Sequence, residues 1–195
     1  MIKLHLKLII PILIVTALTM TYVSISGPVT TTYENARVAF EQLKEQIMFP
    51  VGLARLRMQE PLTQLPIPVQ DVRLSEIVDT WGAPRPTGRG HNGVDIFTER
   101  GRPIISATPG YVTRKGIGTL GGNYVFVSGP GGLRYYYAHM DSFAEGIDVG
   151  TEVTDKTILG YVGNTGNAIT TPPHLHFGIY QNGAENPFPL LVERE

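Results

Sequence analysis

A chain of 195 residues with 16 basic and 17 acidic side chains is long enough to bury one core beside accessory sequence, and its formal charge of -1 gives it no global basic field to hold nucleic acid. It has no cysteine, which excludes disulfides, thiolate metal ligands, a cysteine nucleophile and lipid attachment at an N-terminal cysteine. Its 22 glycines and 15 prolines follow no collagen-like period and signal frequent turns between short strands.

Lys3 and Lys7 precede residues 8–26, which carry no charge. About 18 apolar-leaning residues reach roughly 27 Å as a helix, just short of a ~30 Å hydrocarbon core. Residues 1–26 are therefore expected to be a secretory signal or a single membrane anchor that contacts or crosses the cytoplasmic membrane. Ser24 and Ser26 before Gly27 form a small-x-small cleavage site without deciding between the two. The basic flank before the segment and the polar TTTYEN after it direct the remainder outward, to the periplasmic or cell-envelope side.

Residues 27–70 read as a spacer or docking segment. TTTYENARVAFEQLKEQI predicts a helix, capped by Thr31 or Thr32, with Ala36, Phe40, Leu43 and Ile47 at helical spacing. Pro50 is expected to end it, and a proline-punctuated connector follows. From Asp71 onward the runs are short and β-leaning. PIISATPGYVTRKG, NYVFVSGPGGLRYYYAHM and TILGYVGNTG are the clearest, and LSEIVDTWG is the main helical candidate. VSGPGGLRYYYA reads as a hairpin with Gly129, Pro130, Gly131 and Gly132 at its tip. DVGTEVTDKTILGYVG reads as two further short strands around a turn. Residues 71–195 are thus predicted to form one mainly antiparallel β domain.

Four of the five histidines fall in that domain. In TTPPHLHFGIY, a strand would turn His174 and His176 to one face and Leu175 and Phe177 to the other. GRGHNGVDIF sets Asp95 four residues after His91, and its glycines argue for a turn entering a strand. A catalytic zinc takes three protein ligands and leaves a fourth position for water. His91, Asp95 and one member of the His174/His176 pair would supply such a set, and two histidines would remain for proton transfer and oxyanion stabilisation. No HExxH helix, phosphate loop or nucleophile elbow offers a competing chemistry. Trp81, Tyr111, Tyr135 and Tyr137 are candidates for lining a groove.

HNGVD, YYAHM and HLHFGI, in that order, resemble the three signature blocks of the lysostaphin-type zinc endopeptidases, over roughly residues 75 to 190. The resemblance implies an antiparallel β-sheet groove and one zinc per chain, held by His91, Asp95 and His176. It implies that His139 and His174 are the unligated catalytic pair. It also implies an activity on peptide bonds of peptidoglycan stem peptides or cross-links. Pro173 and Gly178 depart from the residues that often flank the third block, and a changed groove shape is expected there. Some relatives lose zinc ligands and instead activate other wall hydrolases. That alternative is set against the five filled positions here.

Overall fold

The computed structural model describes residues 29–85, 88 and 90–194. Residues 1–26, with the expected signal or anchor, lie outside them. Among the described residues no helix is long and apolar enough to cross a membrane.

Helix α1 (Val29–Arg57) runs through Pro50, which was expected to end it, and contains Thr31 and Thr32 rather than being capped by them. An internal proline costs about 3 kcal/mol through a lost N–H and a ring clash. Beyond Pro50 the helix is held by packing: Leu56 is buried, and Gly52 lies so close to Tyr111 that a Cβ would stand 2.4 Å from its ring. Phe49 meets the same ring edge-on at 5.7 Å.

The chain divides into two compact units, residues 1–48 and 49–195. Among its described residues the second contains eleven strands: β1 (Leu65–Pro66), β2 (Val94–Phe97), β3 (Pro103–Ile105), β4 (Gly110–Gly118), β5 (Gly122–Ser128), β6 (Arg134–Phe143), β7 (Glu152–Val153), β8 (Ile158–Val162), β9 (His174–Tyr180), β10 (Ala184–Glu185) and β11 (Leu191–Val192). Nine form one antiparallel sheet with the path β10-β9-β6-β5-β4-β7; β2 pairs with β9, and β8 joins β6 to β3. β1 and β11 form a separate parallel pair. Leu65, Ile67 and Val69 are fully buried, so the proline-rich stretch before Asp71 contributes to the core. LSEIVDTWG yields only a single 3-10 turn, Leu74–Glu76.

β5 and β6 form the expected hairpin, with Gly131 and Gly132 at φ 70° and 71°, where a side chain would be strained. β7 and β8 both exist but do not pair with each other: β7 adds to β4, and β8 to β3 and β6.

The sheet has two chemically distinct faces. One row across β2, β9, β6 and β5 consists of Val94, Phe177, Tyr137 and Val125, all fully buried. Tyr135, Ile179 and Val127 form the next row of the same core. Each such side chain stabilises the fold by about 1.5–3 kcal/mol through burial. The opposite face carries Asp95, His176 and Ala138 in one row, then Gly178, Tyr136, Phe126 and Arg114, then Tyr180, Arg134 and Ser128. This face holds the site.

Candidate metal centre

β9 places His174 and His176 on the open face and sends Leu175 and Phe177 into the core, the alternation the sequence predicts. Asp95 on β2 is the direct cross-strand partner of His176, and His91 enters from the turn before β2. Three ligand-type atoms consequently converge. His91 Nε2 lies 2.8 Å from His176 Nδ1, His176 Nδ1 lies 3.0 Å from Asp95 Oδ1, and Asp95 Oδ1 lies 3.1 Å from His91 Nε2. Four tetrahedral ligands about 2.0 Å from a zinc ion are separated by about 3.3 Å, so this triangle is close to the size a metal requires. Two imidazoles and a carboxylate are also a donor set zinc accepts.

His91 Nδ1 faces the Thr80 carbonyl at 2.8 Å. A carbonyl only accepts, so Nδ1 carries the proton and Nε2 presents its lone pair to the centre. Thr80 Oγ1 also accepts the Asp95 backbone N–H at 2.9 Å, tying the first two ligand-type residues together. Burial raises the Asp95 pKa, but the His176, His91 and Arg85 side chains around it outweigh burial and hold the carboxyl well below the usual carboxylate range. The carboxylate is therefore an anion at any pH of interest. Burial lowers the pKa of His176 against the opposing pull of Asp95.

His139 reaches the site by an irregularity. Tyr137 pairs with Val125, and Met140 with Asn123, so Ala138 and His139 together oppose Tyr124 alone. This bulge puts His139 at φ 63° and brings its ring to the open face, where strict alternation would turn it away. Its ring centre lies 5.0 Å from His174 and 5.8 Å from His176. His139 Nδ1 donates to the Thr165 carbonyl at 2.9 Å, and His174 Nδ1 to the Pro172 carbonyl at 2.9 Å. Both imidazoles are thus fixed in the tautomer whose Nε2 is unprotonated. Burial, reinforced by the His176 ring, lowers the His139 pKa to about 4.

Two groups at the site were not foreseen. Arg85 Nη2 donates to Asp95 Oδ2 at 2.6 Å. Tyr136, on the open face, meets the His176 ring edge-on at 5.7 Å. Burial, with Tyr180 and Tyr124 nearby, pushes its phenol up to about 12, so it remains an O–H donor. Gly121 leaves the room for that hydroxyl, since a Cβ would come 1.9 Å from it. Of the aromatic residues expected in a groove, Tyr135 and Tyr137 are wholly in the core, and Tyr111 is covered by Gly52 and Phe49. Trp81 is half-buried. Gly178, one of the two departures noted above, is buried, and a Cβ there would press on Tyr180 at 2.9 Å.

Residues 89–187, just over half of the chain, match the model for peptidase family M23. The chain belongs to this family. The chain is 36% identical over 124 aligned residues to an L-Ala–D-Glu endopeptidase of Bacillus subtilis (strain 168), an alignment covering 57% of this chain and 38% of that protein. The chain thus spans well under half the length of this relative. The M23 fold superposes on the catalytic domain of the antimicrobial peptidase lysostaphin from Staphylococcus simulans with a TM-score of 0.52 at 30% identity, covering 60% of this chain and 92% of that one. A zinc-containing peptidase from Vibrio cholerae matches with a TM-score of 0.52 at 27% identity, over 64% of this chain and 38% of that one.

Proposed function

We propose that this M23 protein is a zinc-dependent endopeptidase that hydrolyses peptide bonds in peptidoglycan stem peptides or cross-links outside the cytoplasmic membrane. The observation that carries the reading is the triangle of His91 Nε2, Asp95 Oδ1 and His176 Nδ1 beside two imidazoles with bare Nε2 atoms. Support for the substrate comes from relatives named as an L-Ala–D-Glu endopeptidase and as an antimicrobial peptidase. Support for export comes from Lys3 and Lys7 ahead of the uncharged residues 8–26.

His91, Asp95 and His176 hold the metal in this reading. What zinc supplies to such a site when bound is Lewis acidity, which brings the pKa of water from 15.7 to around 7. The chain's own groups do the rest. A neutral His139 or His174 accepts a proton at Nε2 as water attacks the scissile carbonyl, and returns it to the leaving amine. The backbone carbonyls of Thr165 and Pro172 stabilise the imidazolium formed in between, because each already accepts from Nδ1. The Tyr136 hydroxyl is a neutral donor for developing negative charge on the carbonyl oxygen. The five filled positions weigh against the activator alternative.

The test is metal content and wall digestion of the full chain. Wild-type protein is expected to hold one zinc per chain and to release peptides from peptidoglycan until a chelator is added. His91→Ala, Asp95→Ala and His176→Ala should each lose zinc. His139→Asn and His174→Ala should keep zinc and turn over about 10²-fold more slowly. Zinc retained by the first three variants overturns the ligand set, and a wild type without zinc or digestion overturns the reading.

A further inference from the structure

The open face of the sheet continues beyond the metal centre into a cleft of about 740 Å³. Its lining includes Leu53 and Arg57 from the end of α1, Arg114 from β4, Phe126 from β5, Arg134 from β6, and Gln181 after β9. Among the described residues no aspartate or glutamate lines it. Among the described residues, none of the three guanidiniums is in an ion pair, whereas Arg73, Arg85, Arg100 and Arg102 each have a carboxylate partner. Three cations from three elements therefore surround one concavity in a chain whose net charge is -1.

The cleft is continuous with the site. Phe126 stacks on Tyr136 at 4.4 Å, and Tyr136 meets His176 at 5.7 Å. Arg134 stands four residues along β6 from Ala138, the neighbour of His176, which is about 13 Å at ~3.3 Å per residue. Arg114 ends the row Gly178, Tyr136, Phe126, Arg114, three strand spacings or about 14 Å from β9. An extended peptide covers that distance in about four residues. Guanidinium is matched to carboxylate, accepting it through paired N–H donors.

We propose that this cleft is an anion subsite in which Arg114 and Arg134, with Arg57 at its wall, bind a free carboxylate of the substrate peptide about four residues from the bond cut. The proposal rests on the peptidoglycan reading above. A stem peptide linked through the side-chain carboxyl of a glutamate leaves the α-carboxylate of that residue free, whereas a glycine cross-bridge has none along its length. The subsite thus favours acidic stem peptides over neutral bridges.

The test is binding, with cleavage read separately. A fluorescein-labelled stem tetrapeptide with free α-carboxylates, and the same peptide with them amidated, are titrated with the full chain by fluorescence anisotropy. Wild-type protein should bind the carboxylate form about tenfold more tightly, and the Arg114→Ala/Arg134→Ala variant should bring the ratio close to one. The amidated peptide serves as the folding control. Equal affinity for both peptides in the wild type, or an unchanged preference in the variant, overturns the subsite. A wild type that prefers the carboxylate peptide yet releases nothing from wall overturns the hydrolase reading and upholds the subsite. A wild type that digests wall without any preference does the reverse.

Discussion

Arg85 Nη2 donates to Asp95 Oδ2 at 2.6 Å, while the other oxygen of the same carboxylate, Oδ1, faces His176 at 3.0 Å and His91 at 3.1 Å. The two oxygens have separate tasks. Arg85 occupies one, so Asp95 has a single oxygen to offer a metal and a fixed direction in which to offer it. Partners of this kind are worth about 10- to 100-fold in metal affinity. Arg85→Ala is expected to weaken zinc binding by about tenfold, measured by competition with a chromophoric chelator. Arg85→Lys should recover part of the loss, because an ammonium keeps the charge but not the planar fork. Unchanged affinity in Arg85→Ala would mean that Asp95 is oriented by Thr80 and the strand alone.

Gly93 stands against the opposite side of the site. A Cβ there would lie 2.6 Å from His176 Cε1, 2.8 Å from its Nε2 and 2.6 Å from the Phe177 carbonyl oxygen. The carbonyl belongs to a central strand and cannot retreat, so the imidazole must shift. Gly93→Ala is expected to destabilise the domain by about 1–3 kcal/mol and to shrink the rise in Tm that zinc produces. Gly101→Ala separates the two effects. Gly101 has φ 81° and open space around it, so that variant should lower Tm through backbone strain without changing the zinc-dependent rise.

Much of the site was legible because it depends on local periodicity. The alternation of HLHFGIY is enough to put His174 and His176 on one face, and a glycine-rich turn before VDIF is enough to bring His91 towards Asp95. What escaped depends on register and tertiary contacts. Three successive tyrosines, Tyr135 to Tyr137, do not reveal which of them faces inward; Tyr136 alone lies on the open face. The bulge that turns His139 into the site has no mark in YYAHM, since it is imposed by the pairing of β5 with β6. Arg85 meets Asp95 only once the turn before β2 has folded. The helix-breaking chemistry of Pro50 is plain in the sequence, but the packing of Leu56 and Gly52 that overrides it is not.

The buried imidazole of His139 makes the metal-free protein sensitive to acid. Its pKa falls from 6.5 in the unfolded chain to about 4 in the folded one, because burial disfavours the charged form. The unfolded chain therefore binds the proton more readily. The His139 contribution is complete above pH 6.5 and is lost as the pH falls towards 4, by as much as about 3 kcal/mol. His176, shifted in the same direction, adds to the slope. Urea unfolding of metal-free protein from pH 7 to pH 4 should show stability falling, with a shallower fall in His139→Asn. Asparagine is the informative replacement because it tolerates the left-handed backbone at this position. Equal slopes in the two proteins would mean that His139 is not shielded from solvent in the metal-free state.

Two neighbouring core tyrosines should respond oppositely to loss of the hydroxyl. Tyr137 Oη accepts the Ala107 backbone N–H at 3.0 Å in the buried interior. Tyr137→Phe leaves that N–H without its partner, at an expected cost of about 1–3 kcal/mol. The Tyr135 hydroxyl is buried and makes no hydrogen bond. Burial pushes this phenol far above its ordinary pKa, in keeping with an apolar setting. Tyr135→Phe removes an unsatisfied polar group and keeps the ring that stacks on Phe177, so stability should be unchanged or raised by about 1 kcal/mol. Thermal and urea unfolding of the two variants side by side measures the difference. A loss of more than about 1 kcal/mol in Tyr135→Phe would show that the hydroxyl has a partner, such as a buried water, that stabilises the folded state.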